Sequence, residues 1–463
     1  MAQEGSQKRV LGSGAARQRR LARQKAIMAA GTEHAIASES TSPPEKVLPT
    51  TLGGKYVRLL EIQVQALRDS EQQHGNRSLF LDDVFIVYLL AFFNPTVRSL
   101  RTIEDLSMTK NAQKHLSIER ICKSTFSDFN KLIDPERLQP ILQALRGQLS
   151  RKLAGQPLED KDLHTLLRQT VAVDGTFLPA VAEVAWAVTN KNNHGTRRHR
   201  ARVDARIEVD TWLPEAIVIP TPGESESHSA ALHVQPGKIY LYDRGYSGFA
   251  LLRAHYEATP AASAELPVKS HFVVRYKKAG GNSPELSGAL DQPLGDEDRA
   301  AGIISDRIGY FQSSGADEAG ISTIPLREVI VPYEEQGQPK LLRLITNLLD
   351  VSAATIVLLY QQRWQVELFF RWFKSFGNFG HLISHSRQGA LAHLYVTIIG
   401  VVLMYLHSGY RPSKYMFALL GQVAAGGATL EEILPILRER ERRKELDRLS
   451  AAKRLAKKKL ESR

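Results

Sequence analysis

The segment LYQQRWQVELFFRWFK, residues 359–374, reads as one amphipathic helix with two chemically distinct faces. At about 100° per residue, Tyr360, Arg363, Glu367 and Lys374 fall within an arc of about 60° and share a surface. Val366, Phe369 and Phe373 lie across the wheel as a packing face, with Phe370 at its border. From Tyr360 to Lys374 such a helix rises about 21 Å, enough to meet several phosphates of one strand. A carboxylate set among phosphate-binding groups points to nuclease chemistry.

Working back along the chain, two apolar segments read as short strands that end on an acid: TVAVDGTFLPAV on Asp174 and KIYLYDRGY on Asp243. Strand ends in α/β sheets present side chains to the crevice where ligands bind. A single strand-terminal Asp is also a common turn former. Two of them together with Glu367 make a different proposition. Three carboxylates converging on one crevice repel unless divalent cations neutralise them, and hard oxygen donors suit Mg²⁺ or Mn²⁺. Two ions a few ångströms apart, completed by substrate phosphate oxygens, activate an attacking hydroxyl and stabilise the leaving oxygen.

The series Asp174-Gly175-Thr176, Asp243-Arg244-Gly245-Tyr246 and Tyr360-x2-Arg363-x3-Glu367-x6-Lys374 resembles the DDE transposases of the insertion-sequence-4 family, and all four Tyr-Arg-Glu-Lys positions match. The resemblance covers most of residues 55–410. It implies an α/β fold: an RNase H-like catalytic core interrupted by a β-rich insertion and preceded by an all-helical DNA-binding domain. It implies that Asp174, Asp243 and Glu367 are the metal-binding catalytic triad, with two Mg²⁺ or Mn²⁺ ions per active site. Tyr360, Arg363 and Lys374 become contacts to phosphates beside the scissile bond. Trp364 either stacks on a base or packs beneath the helix, the second being favoured, and Arg371 either adds a phosphate contact or forms a surface ion pair. Arg244, inside the second acidic motif, joins the candidate DNA contacts. Glu183, Asp204, Asp210, Glu224 and Glu226 are acidic residues near the core that match no signature position, and they are left out of the triad.

The organisation that follows is a flexible basic arm at 1–50, a helical DNA-binding domain at 51–160 and a first part of the catalytic core at 161–277. A β-rich insertion occupies 278–347, the second part of the core 348–410, and a charged helical region 411–463. Within the helical domain, LSIERICKSTFSDFNKLI resembles a helix-turn-helix, with Ser117 capping one helix, Ser124 or Thr125 capping the next, and Lys131 presented to a groove. A three-helix packing motif without DNA contact fits the same pattern. The stretch TNKNNHGTRRHRAR reads as a loop that gathers Arg197, Arg198 and Arg200, either as a DNA track or as a mobile charged turn. ARVDARIEVDTWLPEAIVIP reads as a hairpin turning near Thr211 to Pro214.

The 463 residues carry a formal net charge of +12 and a pI near 9.6, which favours a polyanionic partner. A single cysteine, Cys122, excludes an intramolecular disulfide framework and a cysteine-rich zinc site. The N-terminal stretch has no apolar signal-like run, and LAHLYVTIIGVVLMYLH, residues 391–407, reads as a buried helix rather than a membrane span. Together with the resemblance, these features imply a cytoplasmic, nucleoid-associated transposase. It would bind terminal inverted repeats on double-stranded DNA as a homodimer, cleave them hydrolytically and join the 3′-hydroxyl ends to target DNA. The alternatives are a domesticated, non-cleaving DNA-binding regulator and an RNase H-like structure-specific nuclease.

Overall fold

The computed structural model describes residues 61–450, apart from single positions and short stretches that include 70–78, 154–160, 180–187, 192–196, 258–269, 278–283, 377–383 and 409–412. The expected basic arm and the end of the charged tail lie outside the described residues. The chain divides into two compact units, Ser150–Lys374 and Met1–Leu149 with Ser375–Arg463.

The first of these is built on a mixed sheet. Helix α1 (Lys161–Gln169) runs into β1 (Thr170–Pro179), followed by β2 (Val188–Lys191), β3 (Arg197–Glu208) and β4 (Pro214–Val218), then α2 (Glu226–Ala231), β5 (Ile239–Tyr242), α3 (Phe249–Glu257) and β6 (His271–Tyr276). Next come β7 (Leu286–Asp291), α4 (Asp296–Ala300), β8 (Ser305–Phe311), α5 (Ser314–Glu318), β9 (Leu326–Glu335), β10 (Gln338–Thr346), α6 (Ala353–Gln361) and α7 (Trp364–Phe376). The strand order is β2-β3-β1-β5-β6-β10-β9-β8-β7, with β4 also paired to β3.

At the centre, β1, β5 and β6 run parallel. All four residues of β5 are buried, as expected of a strand covered on both faces. One face packs Val171, Val173, Tyr240, Tyr242, Phe272 and Val274 against Tyr246, Leu251 and Leu252. His255, also buried, adjoins this core and packs against the rings of Tyr240, Tyr242 and Phe272. Its ring nitrogens lie 3.2 Å from the Tyr242 hydroxyl and 2.9 Å from that of Ser270, and burial pushes its pKa down to about 3, so it stays neutral.

Strand β1 does not stop at Asp174. It continues antiparallel to β3 as far as Pro179↔Arg200, whereas its parallel pairing with β5 ends at Ala172↔Leu241. The long partner β3 supplies hydrogen bonds that a short apolar run does not reveal. For the same reason the basic stretch is largely strand rather than loop: Arg197 and Arg198 pair with Lys191 and Asn190 of β2, and Arg200 with both Val188 and Pro179. The hairpin at 211–214 forms as expected. Trp212 sits in it at φ 60°, a left-handed conformation that costs a bulky residue about 1–2 kcal/mol, and its ring meets Phe369 of α7 edge-on at 5.7 Å.

The β-rich stretch continues the same sheet through the β6–β10 pair. Its interior is charged and neutralised: fully buried Glu328 pairs with Arg307 at 2.6 Å and with buried Arg343. Buried Arg327 binds Asp306 through both carboxylate oxygens and donates to the carbonyls of Leu349 and Val351, just before α6. Asp298 of α4 accepts from the backbone N–H of Ala354 at 2.8 Å. The extension therefore fixes where α6 begins.

In the second unit, the apolar helix Leu81–Phe93 packs against Arg387–Ser408. Gly400 permits the close approach, since a Cβ there would fall 2.5 Å from the Phe92 ring. Residues 387–406 are long and apolar enough to cross a membrane, but 89% of that window is buried inside the protein. The helix-turn-helix expectation is corrected in part. Residues 119–122 are not helical, and the next helix, Lys123–Leu132, starts from Cys122 without a side-chain cap, which leaves Ser124 and Thr125 inside its first turn. Ser117 lies outside the described residues. In the charged tail, residues 435–444 are helical, with Arg442 and Arg443 on Glu439 and Lys444 on Glu441, a solvated face of local ion pairs.

Replacing Glu328 by Ala leaves two arginines facing one another, one of them buried. The expected cost is about 3–5 kcal/mol of stability, read as a lowered urea midpoint.

Candidate active site

Asp174 and Asp243 stand at the same edge of neighbouring parallel strands. Asp174 lies two residues past the last β1–β5 pair, and Asp243 directly follows β5, leading into a single 3₁₀ turn, Arg244–Tyr246. Each side chain is a quarter to a third exposed. The Gly175 N–H donates to Asp174 Oδ1 at 2.8 Å. Burial dominates this position: it raises the Asp174 carboxyl from 3.8 to about 6, opposed by the Gly175 N–H and Arg363 and reinforced by Glu226 and Asp243.

The segment expected to be one helix is two. Helix α6 ends at Gln361 and α7 begins at Trp364, joined by a tight turn in which Arg363 N–H donates to Tyr360 O at 2.9 Å and Val366 N–H to Arg363 O at 3.1 Å. Hydrophobic periodicity carries straight through such a turn, so sequence alone does not show it. Glu367 remains one helical turn from Arg363, and the arginine joins the acids. Its Nη2 lies 2.5 Å from Glu367 Oε1 and its Nη1 3.9 Å from Asp174 Oδ2. Tyr360 is buried beside it, with the guanidinium carbon 6.0 Å from the ring centroid, and burial raises the phenol so that it keeps its proton. Val366, Phe369, Phe370 and Phe373 are buried as the packing face. Asp243 faces a second arginine: its Oδ1 is 3.9 Å from Arg275, which in turn donates to the Tyr333 hydroxyl of β9 at 2.7 Å.

The other candidates scatter. Lys374 and Arg371 are exposed on α7, and Arg244 is exposed beside Asp243. Trp364 corrects the favoured packing alternative: it is 49% exposed, with the Arg371 guanidinium 5.9 Å from its ring centroid. Lys131 belongs to the other unit, where it pairs with Asp128 at 3.0 Å. The side chains of Arg197, Arg198 and Arg200 lie outside the described residues.

Glu226, set aside on sequence grounds, proves to be an acid at this edge. Its two carboxylate oxygens lie 3.0 Å from where a Cβ of Gly175 and a Cβ of Gly245 would stand. No spacing rule flags it, because it reaches the site from α2 rather than from a strand end.

Among the described residues no three acid, His or Cys side chains are gathered tightly enough to hold a metal ion. The donor set nonetheless suits a divalent cation: Asp174 and Asp243 are oxygen donors in electrostatic contact, and an Asp243 oxygen is buried without a hydrogen bond. Glu367 is the acid engaged most closely, by Arg363 at 2.5 Å, whereas Asp174 and Asp243 meet arginines at 3.9 Å.

Residues 165–403 match the family model described as "Transposase DDE domain". The protein named "Putative transposase y4zB" from Sinorhizobium fredii is 24% identical over 261 residues, 56% of this chain and 64% of that protein. "Probable transposase for insertion sequence element IS5377" from Geobacillus stearothermophilus is 41% identical over 63 residues, 14% of this chain and 17% of its own length. The chain thus spans less than two thirds of either relative. Among solved structures, the cryo-EM structure of a piggyBac transposase synaptic complex with hairpin DNA aligns over 83% of this chain and 81% of that one, at 11% identity and a TM-score of 0.37.

The raised Asp174 carboxyl has a signed consequence. The folded state binds the extra proton between about pH 4 and 6, so stability falls as pH rises through that window and the loss persists at pH 7. Asp174→Asn is therefore expected to stabilise the metal-free protein at pH 7 by up to about 3 kcal/mol, with the gain vanishing below about pH 4. Thermal melts with and without Mn²⁺ check it, since the ion should raise the melting temperature of the parent more than that of the variant.

Proposed function

Since the chain belongs to the transposase DDE-domain family, we propose that it is a transposase of the insertion-sequence-4 type that cuts and rejoins DNA at the Asp174, Asp243 and Glu367 centre. The observation that carries this reading is the meeting of three elements: two acids at one edge of adjacent parallel strands, and a third brought to them from α7 through Arg363. The order β4-β3-β1-β5-β6, with β3 antiparallel and β5 and β6 parallel to β1, supports an RNase H-like core. In that scheme residues 51–160 form a helical DNA-binding domain, and the strands after 278 form the insertion before the Glu-bearing helix.

Asp174, Asp243 and Glu367 would hold Mg²⁺ or Mn²⁺, which supplies Lewis-acid stabilisation of the phosphoryl oxygens and a reactive hydroxide. The protein's own groups do the rest. Asp174 sheds its proton to act as a ligand, which its raised carboxyl makes sensitive to pH near 6. Arg363 leaves Glu367 for a scissile-phosphate oxygen, where a guanidinium makes a paired, charge-assisted contact. Tyr360 donates a hydrogen bond, and Lys374, two turns beyond Glu367, neutralises a more distant phosphate. Exposed Trp364 with Arg371 above it offers a flat cationic face to a base. In the first step water attacks phosphorus and the 3′ oxygen leaves as a hydroxyl; in the second that hydroxyl attacks a target phosphodiester, displacing its 3′ oxygen. Both are in-line exchanges needing no covalent enzyme intermediate. Pairing two inverted-repeat ends calls for a homodimer on DNA.

Full-length protein with its element's end-sequence duplex and Mg²⁺ is expected to nick at the repeat boundary and join the released 3′ end to a second duplex. Glu367→Gln should lower cleavage by about a thousandfold or more while leaving end binding intact in gel shifts. Normal cutting by that variant would remove Glu367 from the centre.

A further inference from the structure

Adjacent residues in a strand point to opposite faces, so Asp174 and the Cβ direction of Gly175 look to opposite sides of the sheet. Arg363 and Glu367 approach from the Asp174 side. Glu226 lies on the other. Its Oε1 is 3.0 Å from the Cβ position of Gly175 and its Oε2 3.0 Å from that of Gly245, so the carboxylate rests in the gap left by two residues without side chains, one next to Asp174 and one two positions after Asp243.

The neighbouring acids are already engaged. Asp204, opposite Gly175 in the β1–β3 ladder, takes a two-pronged pair from Arg202 at 2.9 and 3.1 Å, and Glu224 accepts from the backbone and hydroxyl of Thr221 at 3.0 and 2.7 Å. Glu226 has no hydrogen bond or ion pair among the described residues. A second, independent feature points to the same place. The Tyr246 hydroxyl, on a side chain only 2% exposed, has no hydrogen-bond partner and opens on a cavity of about 20 Å³ that Asp204 and Glu226 also line. That volume admits one water, which would accept from Tyr246 and donate to Glu226. A lone buried hydroxyl beside an unpaired carboxylate marks a site built to be completed by something that arrives.

We propose that Glu226 is a fourth carboxylate of the cation centre, entering it from the face opposite Glu367 through the gap that Gly175 and Gly245 leave. This rests on the reading of Asp174 and Asp243 as cation ligands. The two glutamates then flank the aspartate pair from the two faces of the sheet. Glu367 is released to the ion only when Arg363 leaves it, whereas Glu226 forms no ion pair among the described residues and feels Arg202 only as a cation already paired with Asp204. Glu226 therefore supplies charge to the centre before DNA binds; its carboxylate holds Gly245 small, and at Gly175 it does so together with Asp204 Oδ1, also 3.0 Å from the Cβ position.

The test is Mn²⁺ binding to the full chain without DNA, read from the electron paramagnetic resonance signal of free Mn²⁺. Glu226→Gln is expected to weaken binding about tenfold or more, the scale on which removing a group that supports a metal centre acts. Glu257→Gln, a surface charge paired with Arg253, is expected to bind as the parent does. Gly245→Ala keeps the carboxylate but pushes it aside, so it should also weaken binding, and it carries the test if Glu226→Gln does not fold. Parent-like binding by Glu226→Gln and Gly245→Ala alongside loss in Asp243→Asn overturns the role of Glu226 and leaves the proposed function standing. Parent-like binding by Asp243→Asn as well overturns the cation centre itself.

Discussion

Like charges set at the edge of a sheet must be offset by something, and here arginine does it. Asp174 and Glu367 share the guanidinium of Arg363, and Asp243 faces Arg275. At contact distance an uncompensated pair of carboxylates repels by about 4 kcal/mol at an effective dielectric of 20, a large fraction of a domain's net stability. The compensation is incomplete. Arg363 reaches Asp174 only at 3.9 Å, and burial, more than the neighbouring acids, keeps the Asp174 carboxyl raised to about 6. A divalent cation at this edge would offset both the burial of the charge and the repulsion between the acids.

The surrounding architecture serves to hold those arginines in place. Arg275 projects from β6 and is fixed by Tyr333 of β9, so a residue of the β-rich extension orients the group that faces Asp243. Arg327 and Asp298 of the same extension bind the chain around the start of α6, and Trp212, in its left-handed conformation, packs on Phe369 of α7. The extension and the β3–β4 hairpin therefore act on α6 and α7 from separate directions. The left-handed backbone at Trp212 is accompanied by an aromatic contact to the helix that carries Glu367.

Much of this was legible in the sequence where a local rule governs the outcome. The apolar runs of β5 and β6, the 211–214 turn and the buried helix from 387 follow from periodicity and turn chemistry. What escaped were features decided by partners remote in sequence. Strand β1 runs past Asp174 because β3 is long enough to pair with it, and the β2–β3 ladder draws Arg197, Arg198 and Arg200 into a strand. The break at Gln362 and Arg363 is invisible to a helical wheel, since the packing residues Val366, Phe369 and Phe373 all fall within α7 and keep their helical spacing whether or not the helix continues backwards. Trp364 appeared suited to packing by residue type, yet it falls outside the stripe formed by Val366, Phe369 and Phe373 and stands half exposed. Glu226 had no motif at all. Only the absence of side chains at Gly175 and Gly245 brings it to the edge, and a glycine says nothing in sequence about which atom will fill its space.

The acids at this edge differ in what each must give up before it can hold an ion. Glu367 must part from Arg363, Asp174 meets that arginine only at 3.9 Å, and Glu226 is in no ion pair among the described residues. If phosphate is what draws Arg363 away, then the arrival of DNA both supplies oxygen ligands and frees the last carboxylate, so the full donor set assembles only on substrate. If the proposed function holds, such a centre would limit metal-driven hydrolysis in the absence of DNA without any moving lid. The same arginine that lets the acids coexist in the folded protein would then make their full use conditional on a phosphate.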